Sequence, residues 1–215
     1  MDETIRVVVV DDHKMIAKAI QDMVEGFSRC HVLYAVHDGK ELVRMFKEGK
    51  HIPDLVILDV SMPEMDGFDT MSWLHREHPQ VRVLCLTMKD EESVFLRMVE
   101  LGVHGFVPKI AGSDELERAI RSVMDKGIYF TPAMGEVLFR ARQGGSETVG
   151  DGLSDREKEL LRYVGTEMTY AQIADVMCLS PKTIDGYRNA LFEKLNVKSR
   201  IGLAMFAVRN GYFTP

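Results

Sequence analysis

The sequence predicts an α/β, doubly wound, five-stranded parallel sheet followed by a small all-α domain. Three observations carry this reading. Short apolar runs rich in β-branched residues alternate with amphipathic stretches over about the first 125 residues. The ten residues Gln143–Gly152 then hold four glycines and no apolar period. Beyond them the strand signal stops and helix-start signatures take over.

The expected strands are Ile5–Val10, His31–Val36, Asp54–Leu58, Val81–Thr87 and Gly105–Val107. Their near-continuous apolar character means helices cover both faces, as in a parallel sheet. Between the strands, Met15, Ile16, Ala19, Ile20, Met23 and Val24 recur at helical spacing, with Gly26 as the stop. Leu42, Val43, Met45 and Phe46 mark a second helix and Phe68–His75 a third. Val94–Leu101, ending at Gly102, is a fourth, and Leu116, Ile120, Val123 and Met124, ending at Gly127, a fifth. Such alternation builds an open sheet with right-handed crossovers.

Residues 132–142 read as one more short helix, with Pro132 in its first turn. The glycine-rich stretch reads as a flexible linker. After it, Ser154-x-x-Glu157 and Thr169-x-x-Gln172 are capping boxes. Ser180-Pro181 sets a capping hydroxyl before a first-turn proline. Ser199 caps a last helix that stops at Asn210-Gly211. The expected division is residues 3–125, a helix and linker over 126–152, and a helical domain over 153–215.

With 215 residues, 46% hydrophobic and 28% charged, the composition is that of a globular protein and excludes collagen-like or wholly disordered chains. No apolar run approaches the length of a membrane span, and the first residues carry no secretory pattern. Three scattered cysteines, none in a CxxC pair, argue against a disulfide framework or zinc knuckle and for a reducing, cytoplasmic setting. The net charge of −6 is uneven. Residues 1–140 carry 17 basic against 24 acidic side chains, whereas residues 180–215 carry six against two. The basic tail fits a nucleic-acid partner or, equally on charge alone, a solvated helix face.

In open α/β sheets ligands sit beyond the carboxyl ends of the strands. Here the first strand runs into Asp11-Asp12, the third into Asp59, the fourth ends at Thr87 and the fifth runs into Lys109. A carboxylate pair after a strand is more often a turn or cap than a site. Three converging carboxylates, however, repel one another and call for a cation. Hard oxygen ligands suit Mg²⁺. The chemistry such a cluster supports is phosphoryl transfer onto a carboxylate, with metal and lysine neutralising the phosphoryl oxygens.

The stretches VVVVDDH, VILDVSMPEMDG, VLCLTM and GFVPK resemble the receiver domain of two-component response regulators, a flavodoxin-like fold. The resemblance implies that Asp59 is the phospho-acceptor. It implies that Asp11, Asp12, Asp59 and the Ser61 carbonyl hold Mg²⁺. It makes Thr87, Phe106 and Lys109 the switch residues. Phe106 lacks the hydroxyl of the commoner tyrosine, so it would act through packing; it reads equally well as edge-strand core. Met88 is larger than the residue many receivers carry there and would narrow access to the acyl phosphate. Ser61 and Lys89 occupy positions that tune phosphate lifetime in the family.

The order of capped helices in the last domain fits a helix-turn-helix whose second helix, Ser180–Leu195, enters the major groove. At about 100° per residue, Ile184, Tyr187, Leu191 and Leu195 share one face. Lys182, Asp185, Gly186, Asn189 and Glu193 share the opposite one, with Arg188 at the border. Asn189 can pair with adenine and Asp185 can accept from cytosine. Lys182, Thr183, Arg188, Lys194, Lys198 and Arg200 are expected at phosphates.

Leu153-Ser154 with Glu157, Ile173-Ala174, LSPKT and KLNV resemble the LuxR-type helix-turn-helix, so the whole chain resembles a NarL/LuxR-type response regulator. That resemblance implies a sensor histidine kinase, double-stranded DNA and RNA polymerase as partners, and a homodimer formed through the last helix. Asp185 and Arg188 depart from the family, which often has a basic and a small apolar residue there. Two other readings stand beside it. An aspartate-dependent phosphatase uses the same nucleophile, but Asp59-Val60-Ser61 lacks the second acid that such an enzyme needs. An adaptor would use the helical domain to bind protein instead of DNA.

Overall fold

The structure, a computed structural model, describes residues 4–49, 51–88, 92–131, 134, 135, 137 and 152–213. Five parallel strands, β1 (Ile5–Val10), β2 (Cys30–Val36), β3 (Leu55–Asp59), β4 (Arg82–Thr87) and β5 (Gly105–Pro108), form one sheet in the order β2-β1-β3-β4-β5. They alternate with α1 (Lys14–Glu25), α2 (Gly39–Lys47), α3 (Gly67–Glu77), α4 (Glu92–Leu101) and α5 (Ser113–Lys126). Four helices follow: α6 (Asp155–Leu161), α7 (Tyr170–Val176), α8 (Pro181–Lys194) and α9 (Arg200–Arg209). The helix expected over 132–142 and the linker over 143–152 lie almost wholly outside the described residues, as does Lys89.

Alternate residues of each strand feed two cores. Val7, Val9, Leu55, Ile57, Leu84 and Leu86 pack with α1 and α5 on one face. Val8, Val10, Val56, Leu58, Val83 and Cys85 face α2, α3 and α4. Burial on both faces is why the strands show no polar alternation. The second core continues without a break into Leu160, Ile173, Ile184, Leu191 and Leu203 of the helical part.

The helix boundaries follow the punctuation in the sequence. Both capping boxes form, with Ser154 and Thr169 accepting from Glu157 and Gln172 backbone N–H groups and each partner side chain reaching back. Ser180 and Ser199 cap α8 and α9 through their side chains. Each such cap contributes about 1 kcal/mol. Gly102 and Gly127 close α4 and α5 with φ of 99° and 80°, a region costly for any residue with a Cβ. The three cysteines are unpaired thiols.

The last helix departs from expectation. Its apolar residues were expected to face a second copy of the chain. Instead, Ile201, Leu203, Ala204, Met205, Ala207 and Val208 are buried, and α9 packs against α4 and α6. In this arrangement the helix is already covered.

His104, just before β5, is fastened to β4. Its backbone N–H donates to the Val83 carbonyl at 3.0 Å, and its Nδ1 accepts from the Val83 N–H at 3.2 Å. An accepting Nδ1 requires the neutral ring with its proton on Nε2. Burial, with Arg82 and His75 adding to it, lowers the pKa to about 3. The unfolded ring titrates near ~6.5. Below that pH the unfolded chain takes up a proton that the folded chain refuses, so stability falls as pH drops from about 6.5 toward 3. At about pH 5 the loss is on the order of 2 kcal/mol. Urea denaturation at neutral pH and at pH ~5 should show this, and His104→Asn should flatten the difference; an equal slope in the variant would mean other groups set it.

Candidate functional site

Strand register brings the candidate residues to one edge. Val10 pairs with Leu58, Asp59 with Leu86, and Thr87 with Pro108. The residues at or just beyond those pairs are Asp11, Asp59, Thr87 and Lys109. All lie at the carboxyl edge because a parallel sheet ends every strand on the same side.

Asp11, Asp59 and Thr87 are buried, at 1%, 4% and 4% exposure. The Lys109 ammonium lies 2.7 Å from Asp11 Oδ2 and 2.7 Å from Asp59 Oδ2. Its backbone N–H donates to the Thr87 carbonyl at 2.7 Å, tying the lysine to the end of β4. Burial disfavours the Lys109 charge, but hydrogen bonds and charge from Asp11 and Asp59 outweigh it and raise its pKa. For Asp59 the balance runs the other way. Burial raises its pKa, Lys109 opposes, Asp11 adds to the rise, and the net shift is upward.

Asp12 is half-buried beside them. Ligand atoms of Asp11, Asp12, His13 and Asp59 lie within 4.8 Å of one another. Three carboxylates against one ammonium leave an excess of negative charge, and oxygen donors of this kind fit Mg²⁺. Ser61 is placed beside the pocket, its N–H donating to Asp59 Oδ1 at 3.4 Å. The loop after β3 is held by Gly67, whose N–H donates to the Val60 carbonyl at 3.0 Å. A Cβ there would come within 2.6 Å of the Val60 Cα, so only glycine permits this closure.

Phe106 is buried and meets Phe95 of α4 edge to face, ring centroids 5.5 Å apart. His13 was not singled out from the sequence. Its Nδ1 lies 2.8 Å from Asp12 Oδ1, and the only signal was its place after the aspartate pair. Met88, 68% exposed, stands at the rim with Met15 and Ile110.

On α8, Ile184 and Leu191 are buried and Tyr187 is half-buried, whereas Lys182, Thr183, Asp185, Gly186, Asn189 and Glu193 are exposed. Several of these side chains hold one another. Arg188 pairs with Asp185 at 2.8 Å and donates to Asn189 Oδ1 at 3.2 Å. The Thr183 and Ser180 hydroxyls lie 2.8 Å apart. Lys194 pairs with the buried Glu157 at 2.8 Å, and Lys198 is exposed.

Arg200 is a correction. It was expected at a phosphate, but it is 2% exposed. Its guanidinium donates to the carbonyls of Val164 at 2.8 Å, Lys126 at 2.9 Å and Thr166 at 3.1 Å. The side chain therefore clasps the end of α5 to the helical part and does not reach a DNA phosphate in this arrangement.

Comparison with known proteins agrees with this anatomy. Residues 7–121 match the family described as response regulator receiver domain. Residues 151–207 match the bacterial regulatory proteins of the luxR family. The response regulator GacA of Pseudomonas protegens is 35% identical over 209 residues, covering 96% of this chain and 97% of that protein. The response regulator UvrY of Escherichia coli is 27% identical, covering 96% and 95%. A structure of the Salmonella typhimurium RcsB response regulator superposes with a TM-score of 0.57 at 26% identity, covering 96% and 98%.

Proposed function

The chain belongs to the response regulators that join a receiver domain to a LuxR-type DNA-binding domain, and on that footing we propose that Asp59 is the phospho-acceptor through which DNA binding is controlled. It is a transcription regulator of a two-component system, not a typical enzyme. The observation that carries the proposal is the Lys109 ammonium held 2.7 Å from both Asp11 and Asp59 at the carboxyl edge of the sheet.

An Asp59 oxygen attacks the phosphorus of a kinase phosphohistidine. The P–N bond breaks, its electron pair leaves with the imidazole, and an acyl phosphate forms on Asp59. Asp11, Asp12 and Asp59, with the Ser61 carbonyl, would hold Mg²⁺, which when bound supplies positive charge for the phosphoryl oxygens. Lys109 supplies a further positive charge, and the Thr87 hydroxyl hydrogen-bonds the product. The new charge at this edge draws the Thr87 hydroxyl toward it, and the buried Phe106 ring repacks against Phe95 in response. Phe106 packs on Phe95 of α4, and α4 packs on α9, so the signal has a continuous packed route to the helical part.

We assign residues 3–125 to the receiver, 126–152 to the helix and linker, and 153–215 to the DNA-binding domain. The sensor histidine kinase docks beside the pocket, where an apolar hollow of about 320 Å³ is bordered by Met15, Ile16, Met88, Ile110 and Ala111. The phosphorylated protein binds double-stranded DNA as a homodimer, once α9 has left α4, and contacts RNA polymerase. No described helix is long and apolar enough to cross a membrane, and we place the protein in the cytoplasm.

Acetyl phosphate with Mg²⁺ should add one phosphate to the intact mass of the protein. Asp59→Asn should abolish the addition, and full-yield modification of that variant would reject the acceptor. Ile110→Asp, outside the acidic cluster, should slow transfer from the kinase roughly tenfold, as one misplaced charge in an apolar contact does. Its acetyl phosphate reaction should stay unchanged, and equal slowing with both donors would remove the docking role. On α8, Asn189→Ala should cost roughly 1–3 kcal/mol on the best DNA site and little on scrambled DNA. Lys182→Ala should weaken both alike and flatten the salt slope by about one unit. Equal losses for Asn189→Ala on both DNAs would show that this face does not read bases.

A further inference from the structure

A cavity of about 210 Å³ opens where the start of β4 and the end of α5 meet α7, α8 and α9. Arg82, Arg188, Lys198 and Arg200 line it, together with His104 and Tyr170. No carboxylate among the described residues does so. Four permanently or normally cationic groups therefore surround one small space at the far end of the sheet from the acidic pocket.

Little negative charge reaches them. Arg188 pairs with Asp185. Arg200 is satisfied by backbone carbonyls. Arg82 donates to the Val123 carbonyl at 3.2 Å, one bond from a side chain with five N–H groups. Burial and the nearby Arg188 lower the Arg82 pKa. His104, neutral with its proton on Nε2, adds a donor to the lining.

Tyr170 supplies an independent observation. Two guanidiniums lie against its ring, with the Arg200 carbon 4.9 Å and the Arg188 carbon 5.3 Å from its centre. Its hydroxyl is buried and has no hydrogen-bond partner among the described residues. Buried hydroxyls are rarely left this way, and an unmet one signals a missing acceptor. An acceptor placed among arginines and a lysine would be anionic.

We propose that this cavity binds a small multivalent oxyanion, inorganic phosphate being the species that matches its size and charge. Tyr170, Arg82, Arg188 and Lys198 donate to its oxygens. Because the lining comes from both the sheet part and the helical part, occupancy favours the arrangement in which the two touch.

The test uses the full chain in EDTA, so that the acidic pocket holds no metal and repels the anion. Inorganic phosphate is titrated by calorimetry against sodium chloride of matched ionic strength, with the thermal midpoint as a second readout. Phosphate should bind once per chain and raise the midpoint above that in chloride. Tyr170→Phe should bind phosphate roughly tenfold more weakly, the loss of one charge-assisted hydrogen bond. In chloride its midpoint should match or exceed that of the parent, because an unmet hydroxyl has been removed. Arg82→Gln should weaken binding likewise. Identical midpoints in phosphate and chloride would overturn the proposal, as would phosphate affinity unchanged in Tyr170→Phe.

Discussion

The bridge from Lys109 to Asp11 and Asp59 is the interaction on which the rest of this molecule is organised. It joins the ends of β1, β3 and β5, which are distant in the chain and reach one edge because the strands are parallel and paired in one sheet. Burying two carboxylates this closely is unfavourable unless a cation lies between them. The lysine supplies that charge, and its position is fixed through the backbone bond to Thr87. The lysine offsets only part of the negative charge, so the pocket's electrostatics change sharply when a phosphoryl group or metal ion arrives.

That sensitivity matters because of what lies behind the pocket. The face of the sheet carrying Val8, Val56, Val83 and Phe106 shares one apolar core with α4, α9 and the helical part. Close-packed interiors shift between discrete arrangements and do not deform smoothly. A small movement of Phe106 must be met by Phe95, hence by α4 and by the helix it covers. The burial of α9 is the other half of this coupling. A helix that packs on α4 is withheld from any second chain for as long as that packing lasts.

Much of this was legible in the sequence for identifiable reasons. The strands were readable because two-sided burial leaves unbroken β-branched runs, as in Val7–Val10, and the pocket because parallel strands send their ends to one edge. The helical part announced itself through capping chemistry at Ser154, Thr169, Ser180 and Ser199, each local to three or four residues. The apolar stripe of α8 followed from helical period alone. What escaped were contacts between segments far apart in the chain. Arg200 looked like a phosphate ligand because a basic residue beside a recognition helix carries no mark of burial. The His104 ring, its tautomer set by Val83, and Tyr170 beside two arginines likewise depend on residues well separated in the chain. The surplus of apolar residues in α9 was visible, but composition cannot say which surface will cover it.

The clasp made by Arg200 has a consequence for how this chain can vary. Its acceptors are main-chain carbonyls of Lys126, Val164 and Thr166, and every residue type brings the same carbonyl. Substitution at those three positions leaves the acceptors in place provided the local backbone keeps its path. The specificity of the clasp is thus concentrated in one codon, while the surfaces that receive it are free to drift. Two parts of a protein joined in this way can diverge at different rates, one toward new kinases and the other toward new operators, without losing their hold on each other.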